Sequence, residues 1–200
     1  MRDIHREAVL IFLSAQALAL TLSQRERELS LTRDNIFGDA IMPMRIGTPM
    51  PALEGATEWF NGSAEEALKE TDGHPVLLHF WSLSCGMCKE NLPRIVEWRE
   101  NYREAGLRLI AVHMPRYPAD TDVNAVREAI ATYGIIEPCA VDNEHKVRDA
   151  FLNEHGYVPA YYLFDEKHKL KSFAAGEYGV KVMAPALTRL LGASQAAQVG

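Results

Sequence analysis

The spacing of apolar and polar residues changes along this chain, and each change marks an element. "PVLLHFW", 75–81, is a continuous apolar run of the kind found in a strand buried on both faces. "LRLIAVHM", 107–114, is a second such run. Between them, Leu92, Ile95, Val96 and Trp98 are set among Arg and Glu, which predicts a helix over 86–105. Pro93 should kink that helix and Gly106 should stop it. Upstream, "TEWFNG" is a short extended piece closed by Asn-Gly, a hairpin signal. Ser63 and Glu66 then stand at capping-box spacing and open a short helix in "SAEEALKE".

Downstream, "PRYPADTD" is a loop and "DVNAVREAIATYG" an amphipathic helix ending at Gly134. "PCAVD", 138–142, is a short strand, and "EHKVRDAFLNEHG" reads as a solvated amphipathic helix ending at Gly156. "AYYLFD" and "LKSFAAG" are two strands around the turn "EKHK". Residues 180–191 form a last helix, ended by Gly192. Alternating strands and helices imply a mainly parallel sheet with right-handed crossovers. The final hairpin adds an antiparallel pair. The fold class is therefore α/β, a central mixed β-sheet with helices on both faces.

The first forty-three residues differ in character. Residues 8–24 carry no charge, and Arg2 and Arg6 precede them. An appended helix and a non-native extension, with Met42 or Met44 as the true start, are the preferred readings. A signal peptide is next, although Asp3 and Glu7 cancel the arginines. A membrane anchor is last, because the run is shorter than the ~20 apolar residues a span needs. The division expected is an N-terminal extension over 1–43, one domain over 44–193 and a frayed tail over 194–200.

Composition narrows the chemistry. Two hundred residues suffice for one domain with a real core. A net charge of −6 argues against sequence-independent nucleic-acid binding. Three cysteines are too few for a disulfide-stapled miniprotein. Two of them, Cys85 and Cys88, form C-x-x-C where the first apolar strand gives way to a helix.

That location has consequences. The carboxyl end of a central strand is where α/β folds place ligands. The N-terminus of a helix, with its free N–H groups and positive dipole end, stabilises a thiolate. A C-x-x-C there lowers the first thiol from ~8.5 to roughly 3.5–7.5. Cys85 would be the nucleophile, and Cys88, a turn further in and more buried, the resolving thiol. The alternative is a zinc site, but structural zinc takes four ligands, and only His74, His79 and the distant Cys139 are on hand beyond the pair.

Here a resemblance enters. "PVLLHFWSLSCGMC" resembles the active-site strand and motif of the thioredoxin fold, with Trp81 at the tryptophan position. The chain is most similar to the TlpA-like and ResA-like thiol–disulfide oxidoreductases of the redoxin domain family. "YVPAYYLFD" resembles the loop before the fourth strand, where a cis-proline faces the cysteines. "GTPMPAL" resembles the redoxin entry segment, and "VHMPRYPADTDVNAVREAIATYGIIEPCAVDN" a longer segment of a TlpA-like subgroup. The resemblance spans about residues 47–192. It implies a thioredoxin-like fold, Cys85 and Cys88 as the catalytic pair, and a substrate-binding surface of Trp81, Val158 and cis-Pro159. The chain also departs from the pattern. The dipeptide between the cysteines is Gly86-Met87, His79 stands where thioredoxin has its buried acid, and Asn91 with Glu90 replaces the ResA-like glutamate.

Among the remaining candidates, His79 could relay protons to Cys88 or be a neutral core histidine. Glu90 could be a local acid or an exposed first-turn carboxylate. Cys139 reads as a small buried hydrophobe, and His113, at the end of a buried strand, as structural, with a place near the site as the alternative. The function expected is a thiol–disulfide oxidoreductase acting as a reductase of protein disulfides, with no metal or organic cofactor. Its partners would be a disulfide-bearing protein or small thiol and an electron-donating reductase, with no nucleic acid. Membrane contact is expected only if residues 1–43 are a native anchor. The alternatives are a peroxiredoxin-like peroxidase, for which "WSLS" before Cys85 lacks the expected proline, and a zinc-bound or redox-sensing module. The compartment expected is the cytoplasm. The alternative is an extracytoplasmic, secreted or membrane-anchored protein, as many TlpA-like proteins are.

Overall fold

A computed structural model describes residues 44–153 and 155–198, so the N-terminal extension of 1–43 lies outside the described residues. The elements run β1 (Glu58–Phe60), α1 (Ala64–Thr71), β2 (Val76–Trp81), α2 (Gly86–Asn101), β3 (Arg108–His113) and α3 (Val123–Tyr133). They continue with β4 (Cys139–Val141), α4 (Lys146–Ala150), β5 (Ala160–Phe164), β6 (Leu170–Ala175) and α5 (Gly179–Gln198). The six strands form one sheet in the order β1-β4-β3-β2-β5-β6. Pairs β2–β3 and β3–β4 are parallel, and the other three are antiparallel.

Strand β2 is buried along its whole length because both its faces are covered. Val76, Leu78 and Phe80 join Ile110, Val112, Tyr162 and Phe164 under Val147 and Phe151. Leu77 faces the other way, with Ile95 and Trp98 of α2 and Met183, Leu187 and Leu191 of α5. Each such side chain contributes about 1.5–3 kcal/mol on burial. The continuous apolar run is thus the signature of a strand with no solvent face.

Four local readings are corrected. The Asn61-Gly62 turn makes no hairpin: β1 pairs antiparallel with β4, three strands further along the chain. Asn61 Nδ2 instead donates to the carbonyls of Ile135 (2.9 Å) and Glu137 (3.1 Å), tying the turn to the segment before β4. Helix α2 ends at Asn101, before the expected 105, and a turn leads to Gly106, whose φ of +87° suits glycine. Helix α4 is one short stretch and stops at Ala150. Val147 and Phe151, four apart and both fully buried, make the pattern look helical for longer. Leu152, at φ +52°, breaks it. Asn153 then donates to the Tyr157 carbonyl and accepts its N–H, both at 3.0 Å, closing a loop that leads into β5. Helix α5 runs on past the stop expected at Gly192 to Gln198. "ASQAAQ" favours a helix, and one internal glycine costs only about 1 kcal/mol.

Candidate active site

After β2 the chain turns through Ser82, Leu83 and Ser84 to reach Cys85 at the start of α2. The Trp81 carbonyl accepts the Met114 N–H at 2.8 Å, and the Ser82 carbonyl accepts the Cys85 N–H at 3.1 Å. The turn is therefore held to the end of β3. Cys85 caps α2: its backbone is extended, and its Sγ accepts the Cys88 N–H at 3.1 Å. The two sulfurs are bonded to each other, with Cα atoms 5.2 Å apart. They are equally buried, 3% and 2% exposed, so position on the helix distinguishes them and burial does not. Met87 between them is exposed.

Trp81, expected to border the substrate, is buried and packs behind the sulfurs together with Leu92, Val126, Ile130 and Cys139. Cys139 is sealed in this cluster, and burial pushes its thiol up to about 12. The Val158–Pro159 bond is cis, as the resemblance implies, and Val158 packs against the same cluster. Glu90 is exposed and lies about 200° around α2 from Cys88, so it is not brought to the sulfurs. Asn91 donates to the Tyr161 hydroxyl at 3.1 Å.

His79 shares the α2-facing side of β2 with Leu77 and Trp81. Its Nε2 meets Glu137 Oε1 at 3.1 Å, and Arg99 Nη1 donates to Glu137 Oε2 at 2.9 Å. Burial alone would raise the Glu137 carboxyl, but hydrogen bonds from His79 and Arg99 hold it down at about 2. This trio links β2, α2 and the segment before β4.

A second carboxylate stands at the mouth of the site. Asp120 Oδ2 accepts the hydroxyls of Ser82 (2.8 Å) and Ser84 (2.7 Å) and the N–H groups of Arg116 (2.9 Å) and Tyr117 (3.3 Å). Burial works against its charge, and these donors outweigh it, so its carboxyl stays below the usual range. Beside it, His113 is buried, and its desolvation lowers it to about 4 against the pull of Asp120. Its Nε2 accepts the Leu83 N–H at 3.4 Å, and its ring meets Trp81 edge-on at 4.9 Å. Sequence reasoning missed Asp120, Glu137 and Arg99. Asp120 stood in a segment read as plain loop, and nothing in the local pattern marks either carboxylate as buried. Among the described residues, no three His, Cys, Asp or Glu side chains gather as a metal site.

The model of the AhpC/TSA family matches residues 46–173. A thiol-disulfide oxidoreductase, YkuV of Bacillus subtilis (strain 168), is 42% identical over 150 residues, 74% of this chain and 97% of that protein. The thiol-disulfide oxidoreductase ResA of Bacillus thuringiensis (strain Al Hakam) is 30% identical over 55% of this chain and 60% of its own length. The solution structure of a thioredoxin-like protein in the oxidised form superposes with a TM-score of 0.67 at 40% identity, covering 75% of this chain and 99% of that one. The sulfur pair capping its helix, the sheet order and these likenesses agree: the chain belongs to the AhpC/TSA family and is a thiol–disulfide oxidoreductase on a thioredoxin-like fold.

Proposed function

We propose that the chain reduces protein disulfides, with Cys85 as the attacking thiol and Cys88 as the resolving one. The observation that carries this is the Cys88 N–H donating to Cys85 Sγ at the helix N-terminus. A donor aimed at a sulfur stabilises its thiolate, and among the described residues it is the first cysteine that has one. In the reduced enzyme the Cys85 thiolate attacks one sulfur of the substrate. A Cys85–substrate disulfide forms, and the other substrate sulfur leaves and takes up a proton. Cys88 then gives up its proton and attacks Cys85 Sγ, forming the intramolecular disulfide and releasing the second substrate thiol. Two electrons pass from the dithiol to the substrate, and an external reductase restores them.

Val158 and Pro159 would receive the substrate backbone, as the resemblance implies. The exposed side chains of Met87, in the first turn of α2, and of Tyr117 and Tyr157, on two loops, suit a protein partner. Trp81 supports the sulfurs from beneath. For the proton of Cys88 we assign His79, which is buried under α2, rather than the exposed Glu90. The ResA-named relatives are of the TlpA-like kind, and this supports the extracytoplasmic reading over the cytoplasmic one.

The test is a pair of variants. Cys85→Ser should abolish insulin-disulfide reduction, and Cys88→Ser should accumulate a mixed disulfide visible by mass. Peroxide consumption that survives Cys88→Ser would overturn the reading in favour of the peroxidase. Titration in graded thiol buffers gives the direction: about −270 mV fits a reductase, whereas about −120 mV fits a disulfide-forming oxidant.

A further inference from the structure

A pocket of about 340 Å³ opens beside the redox pair, at the carboxyl end of the sheet. Three loops build it. Arg116 and Tyr117 come from the loop after β3, His145 and Arg148 from the β4–α4 region, and His155 from the loop leading to Pro159. Met114 forms part of its lining. Its place next to the cysteines follows from two connections. The Arg116 and Tyr117 N–H groups share Asp120 Oδ2 with the hydroxyl of Ser84, the residue before Cys85. The third loop runs from His155 directly into Val158, which packs on the cluster holding both sulfurs.

Among the described residues the lining holds two arginines, two histidines and no carboxylate, in a chain of net charge −6. The Arg148 guanidinium is shared with Asp149, through Nε at 2.8 Å and Nη2 at 2.7 Å. Arg116 is exposed, and its guanidinium meets only the Tyr117 ring, 5.5 Å from the centroid, among the described residues. His145 Nδ1 is buried without a hydrogen-bond partner among them. An exposed guanidinium with free donors, at a pocket lined by a second arginine and two histidines, is a receptor for a carboxylate or phosphate.

We propose that this pocket binds an anionic group on the disulfide substrate and selects substrates that carry a carboxylate or phosphate close to the scissile sulfurs. The proposal rests on the thiol–disulfide reading above. The anion could be an acidic side chain of a protein substrate or the acid of a small disulfide, and the shared chemistry is the same.

The test compares matched probes at low salt. One pair is dithiodipropionate and hydroxyethyl disulfide, which are anionic and neutral. The other is a peptide disulfide with Asp or Asn beside the cysteine. The readout is the anionic-to-neutral ratio of kcat/KM. The ratio should exceed one in the wild type and fall about tenfold in the Arg116→Gln/Arg148→Gln variant, carried by KM. Arg116→Lys should retain part of it, and about 0.5 M salt should flatten it by screening. A drop confined to the peptides supports a protein carboxylate as the anion, and one confined to the small disulfides supports a small-molecule acid. A wild-type ratio near one, or one unmoved in the double variant, overturns the proposal and leaves the oxidoreductase intact. Failure to reduce any probe overturns both.

Discussion

Asp120 and Glu137 are both buried carboxylates within the same domain, yet they are satisfied in opposite ways. Asp120 gathers two hydroxyls and two backbone N–H groups on one oxygen. Glu137 divides its two oxygens between the His79 ring and the Arg99 guanidinium. The first arrangement fixes loops, because its donors come from the turn before Cys85 and from the loop after β3. The second fixes layers, because its donors come from a central strand and from the helix that Cys85 caps. Hydroxyl and backbone donors in loops can turn elsewhere when their acceptor goes, whereas the His79 ring, sealed on a central strand, cannot. The two carboxylates should therefore differ more in what they cost to lose than in how many bonds they make.

The largest effect expected is on Glu137→Ala, which strips the buried His79 ring of its partner and leaves Arg99 with only Glu100 as an acidic contact among the described residues. Urea unfolding should show a loss of about 3–5 kcal/mol. A loss near that of Asp120→Ala would break the contrast.

Acid should separate the two neighbourhoods next. Unfolded His113 takes a proton near 6.5 but folded His113 only at about 4. Between those values acid favours the unfolded chain, so stability falls by about 3 kcal/mol as pH drops from 6.5 to 4. Glu137 is depressed from 4.5 to about 2. Its contribution is fully present above 4.5 and is lost, again by about 3 kcal/mol, as pH falls through 2. Unfolding midpoints across pH should show two limbs, with Glu137→Gln removing only the lower and His113→Asn only the upper.

Asp120→Ala comes third, at about 1–3 kcal/mol of stability. Its signature should be kinetic: the rate of disulfide exchange at Cys85 should change more than stability does, because Ser84 loses its anchor. Stopped-flow exchange measured against the Glu137→Gln protein checks this. Smallest is Arg94→Ala. Arg94 pairs with Glu97 on the surface of α2, both about half exposed, and its removal should move stability by no more than about 0.5 kcal/mol.

Much of this molecule was legible in its sequence because the relevant signals are local. An unbroken apolar run, a C-x-x-C at its end and a glycine-terminated helix are read over windows of a few residues. Such windows located β2, the cysteines, β3 and the β5–β6 hairpin. The resemblance located Pro159. What failed was long-range or context-dependent. Asn61-Gly62 is a sound turn signal, but β1 finds its partner in β4 and not in the next segment. The pattern around Val147 and Phe151 is helical, but the side chain of Asn153 competes for the backbone and wins. Asp120 and Glu137 look like ordinary surface acids until the fold encloses them. Their partners lie 36–38 and 58 positions away for the hydroxyls and the ring.

The single oxygen of Asp120 also bears on modularity. The loop after β3 looks like an insert that could be exchanged between relatives to transplant substrate preference. Because Arg116, Tyr117, Ser82 and Ser84 converge on one atom contributed by that loop, a graft would carry the support of the cysteine turn away with it. Recognition and reactivity are therefore inherited together here, and a chimera that moves residues 115–122 must bring an acid to the position of Asp120 or lose its grip on Cys85.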